Sequence, residues 1–278
     1  MSVFLVVIVF LGYFIGYYYN NSNILYFAII FSLFMNILSY WYSDKIVLGM
    51  SGAKEALHDE YIDLYHLVEN LSITAGLPMP KIYVINDASP NAFATGRDKE
   101  HAVIAVTTGL LAILNKSELE GVVAHELSHI GNRDILLSTV VVVLVGMVSI
   151  LANIFMRGGF GKNRDREEGG ANGLLMLIGV IFVILSPLVS QLIQLAISRK
   201  REFLADASGA LLTRYPDGLA SALKKISEVN IPMKNANNAT AHLFISNPFG
   251  STAKSISSLF STHPPIEERI KALVGMKM

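Results

Sequence analysis

The chain has 278 residues, of which 52% are hydrophobic and 16% charged, against roughly 25% charged in an ordinary soluble domain; the imbalance is that of a chain with membrane segments. Lys plus Arg and Asp plus Glu number 22 each, so no net field selects nucleic acid or another strongly charged partner. With no cysteine present, disulfides and thiolate metal sites are excluded, and any metal must be held by His and carboxylates.

Four long uncharged apolar runs follow one another, and about 20 such residues suffice to cross a bilayer as a helix. The first, Ser2 to Tyr19, ends in Tyr17-Tyr18-Tyr19, and the second, Ile24 to Tyr42, ends in Trp41-Tyr42. Aromatics at such ends fit the belt at a membrane interface. The first run has no basic leader and no small-residue cleavage site, which argues against a cleaved signal peptide. From Gly52 to about Ala75 the apolar residues, Leu57, Tyr61, Leu64 and Leu67 among them, recur at helical spacing. Gly76 and Pro78 end that stretch. Lys81–Asn86 and Ala102–Val106 are rich in β-branched residues and read as strands. Between them Pro90–Gly96 is punctuated by turn residues and is either a turn or an extended piece.

Thr107–Leu114 reads as a short helix, and Ser117-Glu118-Leu119-Glu120 matches a capping box that opens the next one. The third apolar run, Ile135 to Met156, follows at once. The fourth, Gly173 to Ser198, contains Pro187, Gln191 and Gln194, polar positions that belong against protein or a wet cavity rather than lipid. Helical spacing returns at Arg201–Leu212 and Gly218–Val229. Asn230–Ser261 is irregular and of the composition that forms lids, and Ile266–Val274 is a last short helix. The expected division is therefore an N-terminal transmembrane hairpin (1–43), the first part of an α+β domain (44–134), a second transmembrane hairpin (135–198) and the second part of that domain (199–278). Lys45, Lys54, Arg133, Arg199, Lys200 and Arg201 flank the spans on the side of this domain. Arg157, Lys162, Arg164 and Arg166 lie in the opposite loop. The positive-inside count narrowly places the domain in the cytoplasm.

His125 and His129 stand four apart, so on a helix both rings leave one face and can grip one ion, while Glu126 reaches the water on it. Two surface histidines on an ordinary helix would give the same letters. A catalytic zinc takes three protein ligands and one open position. The best third donor is Glu202, with Asp206 on the same helical face able to bond a ligand imidazole from behind. Taken alone, Glu202 is equally a salt-bridge partner of Arg199 or Arg201. Glu167 and Glu168 lie in the far loop, and Asp134 is too near the histidines to close the set. His58, His66 and His101 lack metal spacing, and His242 has no distinguishing context. His263, stiffened by Pro264 and Pro265, could steady an oxyanion or be incidental.

The capped His125-Glu126-Leu127-Ser128-His129 helix and the hydrophobic hairpin after it are followed by Arg199-Lys200-Arg201-Glu202-Phe203-Leu204-Ala205-Asp206. With the late Thr262-His263-Pro264-Pro265 and Arg269, they resemble the HtpX family of membrane-bound zinc peptidases, related to the CAAX prenyl proteases. The resemblance extends over nearly the whole chain. It implies a zincin-type α+β metallopeptidase domain, mostly helical with a small sheet, combined with transmembrane helices, and one Zn2+ per chain. It implies Glu202 as third ligand, Asp206 behind it, Glu126 as the base and His263 as a transition-state contact. Asn91 would lie on an edge strand where substrate pairs by β-augmentation. The implied setting is the cytoplasmic membrane with the active site facing the cytosol, and the implied substrates are misfolded membrane proteins. The rival readings are a prenyl-protein protease, a zinc-dependent membrane chaperone that does not cut, and an ion transporter.

Overall fold

The computed structural model describes residues 2–142, 199–237, 239–250 and 264–276. Helices α1 (Ser2–Tyr18) and α2 (Asn23–Ser51) lie along each other as an N-terminal hairpin. Helix α2 runs past the end of its apolar stretch and bends by 67° between Leu38 and Tyr40. Its first limb leaves Tyr26, Phe27, Ile30, Phe34 and Ile37 exposed, whereas the second buries Val47 and Leu48. Among the described residues no single helix is long and apolar enough to cross a membrane; the two limbs of α2 together have the length and composition.

Gly52, in the left-handed region at φ 69°, ends α2. The next residues do not continue as the helix that their spacing suggests. Lys54–Glu55 (β1) instead pairs antiparallel with Lys81–Ile85 (β2), and helix α3 begins only at Ile62 and ends at Ala75. Strand β3 (Ala92–Gly96) occupies the stretch that turn residues had left ambiguous, and β4 (Ala102–Thr107) follows it. The sheet order is β1-β2-β4-β3, with β2 and β4 parallel and the other pairs antiparallel.

Both faces of the sheet are covered, so its central strand is apolar throughout rather than alternating. Ala102, Ile104 and Val106 join Ala92 and Ala94 in a core with α3 and the later helices. Val103 and Ala105 join Phe93 in a second core that takes in Val47 and Leu48 of α2 and Met233, Leu243 and Phe244 from beyond residue 230. The described part of the segment expected as a lid, residues 230–237 and 239–250, packs on the sheet through Met233, Leu243 and Phe244; residues 251–261 lie outside the described residues. Phe244 meets the Phe93 ring edge-on at 5.1 Å, and a short 3₁₀ turn forms at Ala241–Leu243.

Helix α4 (Thr108–Ile113) is capped by Thr107, and α5 (Lys116–Gly131) follows. Residues 134–142 are helical; the rest of the third apolar run and all of the fourth lie outside the described residues, as does His263. Helices α6 (Arg199–Thr213), α7 (Pro216–Glu228) and α8 (Ile266–Val274) complete the domain around α5.

The capping box of α5 is formed by Asn115 and Glu118, two residues before the expected Ser117 and Glu120. Asn115 Oδ1 accepts from Glu118 N at 3.0 Å, and Glu118 Oε2 accepts from Asn115 N at 2.8 Å. The choice is tertiary. Glu118 is buried and also accepts from Ser221 Oγ at 2.7 Å and Lys225 Nζ at 2.7 Å on α7. Burial would raise its pKa, but these donors, Lys225 first, hold it below the ordinary carboxylate value. A depressed carboxylate stabilises the fold above its unfolded pKa, and that contribution is lost as pH falls through the folded one. Glu118→Gln should therefore lower Tm at pH 7 by roughly 3–8 °C, as expected for a loss of about 1–3 kcal/mol. The gap should close as pH is taken below about 4. Circular-dichroism melts of both proteins check this, and a gap constant from pH 7 to pH 3.5 would remove the ionised carboxylate from the account.

Candidate metal centre

The centre is built where α5 and α6 cross at close range. A Cβ on Gly209 of α6 would sit 2.9 Å from the backbone nitrogen of His125, and one on Gly121 of α5 would sit 2.7 Å from that of Leu219 on α7. Glycine at both points lets three helices approach nearly backbone to backbone. Glu202 and Asp206, one turn apart on α6 and respectively two turns and one turn before Gly209, are thereby carried against the histidine face of α5.

His125 and His129 present their rings at right angles with centroids 4.7 Å apart. Their Nε2 atoms lie 3.2 Å from each other, and Glu202 oxygens lie 3.8 Å from His125 Nε2 and 3.5 Å from His129 Nε2. A tetrahedral centre with bonds of about 2.0–2.1 Å has edges near 3.3 Å. All three residues offer a donor atom within 4.8 Å of the others'. The trio is therefore grouped closely enough to hold one ion between them.

The two rings are held from behind by different carboxylates. Asp206 Oδ1 lies 3.0 Å from His125 Nδ1, an ion contact out of line for a hydrogen bond, and Asp134 Oδ2 lies 3.1 Å from His129 Nδ1. A carboxylate at Nδ1 places the proton there and turns the Nε2 lone pair forward. Two lone pairs and a carboxylate then converge on one point, which is stable only around a cation. The formal charges say the same. Glu126, Asp134, Glu202 and Asp206 face the guanidinium groups of Arg269 and Arg201 across the cluster, which leaves two negative charges for a divalent ion.

Arg269, on α8, is fully buried. Its Nε and Nη2 grip Asp206 at 2.8 and 2.6 Å, while Nη1 lies 3.7 Å from Glu202 Oε2 and Nη2 3.5 Å from His125 Nε2. Burial opposes charge on both partners, yet Arg269 holds Asp206 down to about 2 and Asp206 holds Arg269 above its ordinary value. Burial likewise opposes a charged His129, but the bond to Asp134 and the charges of Glu202 and Glu126 lift it to about 9. The anionic surroundings that retain a proton on His129 are those that retain a metal in its place.

Glu126, buried beside the trio, opens with His125, His129 and Glu202 into one cleft whose other walls include Ala94, Ser138, His242 and Ile245. Its free interior, about 30 Å³, has room for one or two waters. Of the residues singled out in the sequence, the structure brings together His125, Glu126, His129, Glu202 and Asp206. Asn91 lies apart from the trio, at the start of β3 and fully buried; its amide donates to Ser246 O at 3.0 Å and accepts from Ser246 N at 3.1 Å. Three neighbours of the centre carried no usable spacing. Asp134, too near the histidines in the chain to close a ligand set, bonds His129 Nδ1 from behind. His242 reaches the cleft from the 3₁₀ turn, its Nε2 3.1 Å from Ser138 O. Arg269 lies in the late stretch that carries the resemblance, and its role comes only from its grip on Asp206.

Two imidazoles and a distant carboxylate around one point, with a second carboxylate beside them, define a metallopeptidase. Peptidase family M48 matches residues 59–277. A "Protease HtpX homolog" of Thermoanaerobacter pseudethanolicus is 49% identical over 275 residues, 96% of this chain and 90% of that one. One of Thermococcus kodakarensis is 51% identical over 266 residues, 93% and 89% of the two chains. The crystal structure of S. mikatae Ste24p shares the fold at 20% identity and a TM-score of 0.53, over 96% of this chain; this chain spans 62% of the length of that one. The chain belongs to peptidase family M48, on its HtpX branch.

Glu202→Ala removes one corner of the trio and leaves the two imidazoles facing Arg269 without their counter-charge. Metal content of the purified variant, read by inductively coupled plasma mass spectrometry, should fall from about one ion per chain to near zero. A full complement would take Glu202 out of the ligand set.

Proposed function

We propose that the chain is an integral-membrane zinc endopeptidase that cuts misfolded or damaged membrane proteins, with its catalytic domain on the cytosolic side. The observation that carries the peptidase chemistry is Glu126 opening into the same small cleft as the His125–His129–Glu202 trio. An all-nitrogen-and-oxygen donor set with one carboxylate is the composition that zinc accepts at hydrolytic sites. Zinc held there supplies a Lewis acid and lowers the pKa of a water to about 7.

The remaining steps belong to the chain's own side chains. The Glu126 carboxylate takes the proton of the attacking water and returns it to the leaving amine. Asp134 keeps the proton of His129 at Nδ1, Asp206 faces His125 Nδ1 at 3.0 Å, and Arg269 fixes Asp206 from the other side. His263 contributes a donor to the developing oxyanion in this reading.

Membrane attachment is supported by the two N-terminal helices. Phe10, Tyr13, Phe14, Ile30, Phe34 and Ile37 are all more than half exposed there, a far larger apolar surface than a water-facing hairpin keeps. Tyr17, Tyr18, Trp41 and Tyr42 lie near the ends of that surface, where interfacial aromatics belong. Unfolded segments of other membrane proteins are the partners such a position offers. A non-cutting chaperone would have no use for the base at Glu126.

The test uses detergent-purified protein loaded with zinc and casein as substrate. Wild type should cleave and lose activity to a chelator. Glu126→Ala should retain about one zinc per chain and lose turnover by at least a hundredfold, the scale of a general base. Turnover near wild type in that variant would overturn the proposed mechanism. His263→Ala should keep its metal with a large fall in kcat, and unchanged kinetics would strike His263 from the site.

A further inference from the structure

The exposed apolar surface of the N-terminal hairpin stops at the bend of α2, and cations gather there. Arg97, which opens the turn from β3 to β4, lays its guanidinium 4.6 Å from the centroid of the Trp41 ring, and Lys45 Nζ lies 5.3 Å from that of Tyr42. Trp41 directly follows the bend and is half exposed. A cation over an aromatic face is attracted by the ring quadrupole, so Trp41 keeps Arg97 at the level where the apolar surface ends. Residues 134–142 begin the next apolar run beside this turn, and Arg133 stands immediately before them.

Between the turn and the head of that helix lies a cavity of about 240 Å³. Arg97, Asp98, Lys99, Glu100 and Arg133 form its polar lining, and Ile130, Ile135 and Leu136 its apolar one. Three cations against two carboxylates leave one positive charge. Asp98 is already engaged: its Oδ1 accepts from His101 N at 2.8 Å and lies 2.5 Å from His101 Nδ1, and its Oδ2 lies 3.4 Å from Arg97 Nε. Arg133 is held in the left-handed region at φ 61°, a conformation that glycine would adopt without strain. Strain of that kind collects where a ligand is clamped. The cavity shares Ile135 with the metal cleft and none of that cleft's polar residues.

We propose that this cavity binds the phosphodiester of an anionic phospholipid, with Arg97, Lys99 and Arg133 on its oxygens and Ile130, Ile135 and Leu136 against its glycerol end. A phosphodiester carries one negative charge, which the surplus positive charge of the lining matches. Guanidinium groups bond phosphate oxygens in pairs. The volume is that of several waters of about 30 Å³ each, room for a phosphate with its glycerol. Phosphatidylcholine presents the same phosphate beside a bulky cation, which the surplus charge disfavours. Free phosphate offers the same oxygens but no acyl chain to bring them to the bend. The proposal rests on the membrane reading and adds to it one fixed headgroup contact.

Trp41 is the chain's only tryptophan, so its fluorescence reports the contact. The zinc-loaded full chain is placed in phosphatidylcholine nanodiscs in which a minor fraction of either phosphatidylglycerol or phosphatidylcholine carries brominated acyl chains. Brominated phosphatidylglycerol should quench Trp41 at a mole fraction about fivefold lower than brominated phosphatidylcholine, the scale of one cation at an anionic surface. Arg97→Gln and Arg133→Gly should each bring the two lipids to within about twofold of each other, at unchanged zinc content. Comparing two lipids within one variant cancels any change in the tryptophan itself, and glycine suits φ 61°, which keeps Arg133→Gly foldable. Equal quenching by both lipids in wild type would overturn the proposal and leave membrane attachment standing, whereas quenching by neither would sink both. A preference that survives the two substitutions together would be general surface attraction and would also overturn it. Inorganic phosphate, added against chloride at the same ionic strength, should leave the preference intact; its loss would give the site to the free anion instead of the lipid.

Discussion

The organising constraint is a buried cluster whose charges do not balance without a divalent cation. Glu126, Asp134, Glu202 and Asp206 converge where Arg269 and Arg201 supply two positive charges. Burying an uncompensated carboxylate costs several kcal/mol, and four carboxylates against two guanidinium groups leave two without a counter-charge. In the ion-free protein His129 holds a proton up to about pH 9 and supplies part of what is missing. A divalent cation held by His125, His129 and Glu202 would take the place of that proton and complete the balance. Arg269 serves a different end: it neutralises Asp206 permanently, so that Asp206 can face His125 without competing for the metal.

The cluster in turn dictates the helix packing. Glu202 reaches the imidazoles because α6 lies within backbone contact of α5 at Gly209, and α7 lies equally close at Gly121. At each point a methyl group would have to displace main chain, not a flexible side chain. Close packing leaves α5 little freedom to rotate, which fixes the direction of both rings. Glu118 secures the same helix one turn from its start through Lys225 and Ser221. The sheet then sets the opposite wall of the cleft, and its two apolar faces clamp the edge strand between the helical core and the α2 limb.

Much of this was legible in the sequence, for reasons that separate cleanly. The two histidines and Glu126 announce themselves because a helical repeat of 3.6 residues makes a four-residue spacing a geometric statement. The late helix Ile266–Val274 was read to the residue, since its amphipathic spacing begins directly after two prolines. The capping box was displaced by two because Asn115–Glu118 and Ser117–Glu120 satisfy the same spacing; the decision belongs to Lys225, over a hundred residues away. The onset of α3 was placed early because pairing with β2 outweighed local helical preference at Lys54–Glu55. His242 and Asp134 were passed over because their roles depend on where a 3₁₀ turn and a helix start come to lie, which no periodicity encodes. The edge strand was foreseen only as an alternative to a turn, and the resemblance directed attention to Asn91.

The separation of the ligands in the chain gives the metal a structural as well as a chemical place. Glu202 follows His129 by 73 residues, with the whole 135–198 segment between them. Bringing such distant donors together costs loop-closure entropy that rises only slowly with length, so the insertion is tolerated once α5 and α6 have packed. Binding energy released at the trio is then folding energy for the contact between the two parts of the domain. Charge repulsion among the carboxylates works against that contact, and a bound divalent ion would relieve it. An ion held by His125, His129 and Glu202 would make the metal centre and the fastening of α6 to α5 one interaction.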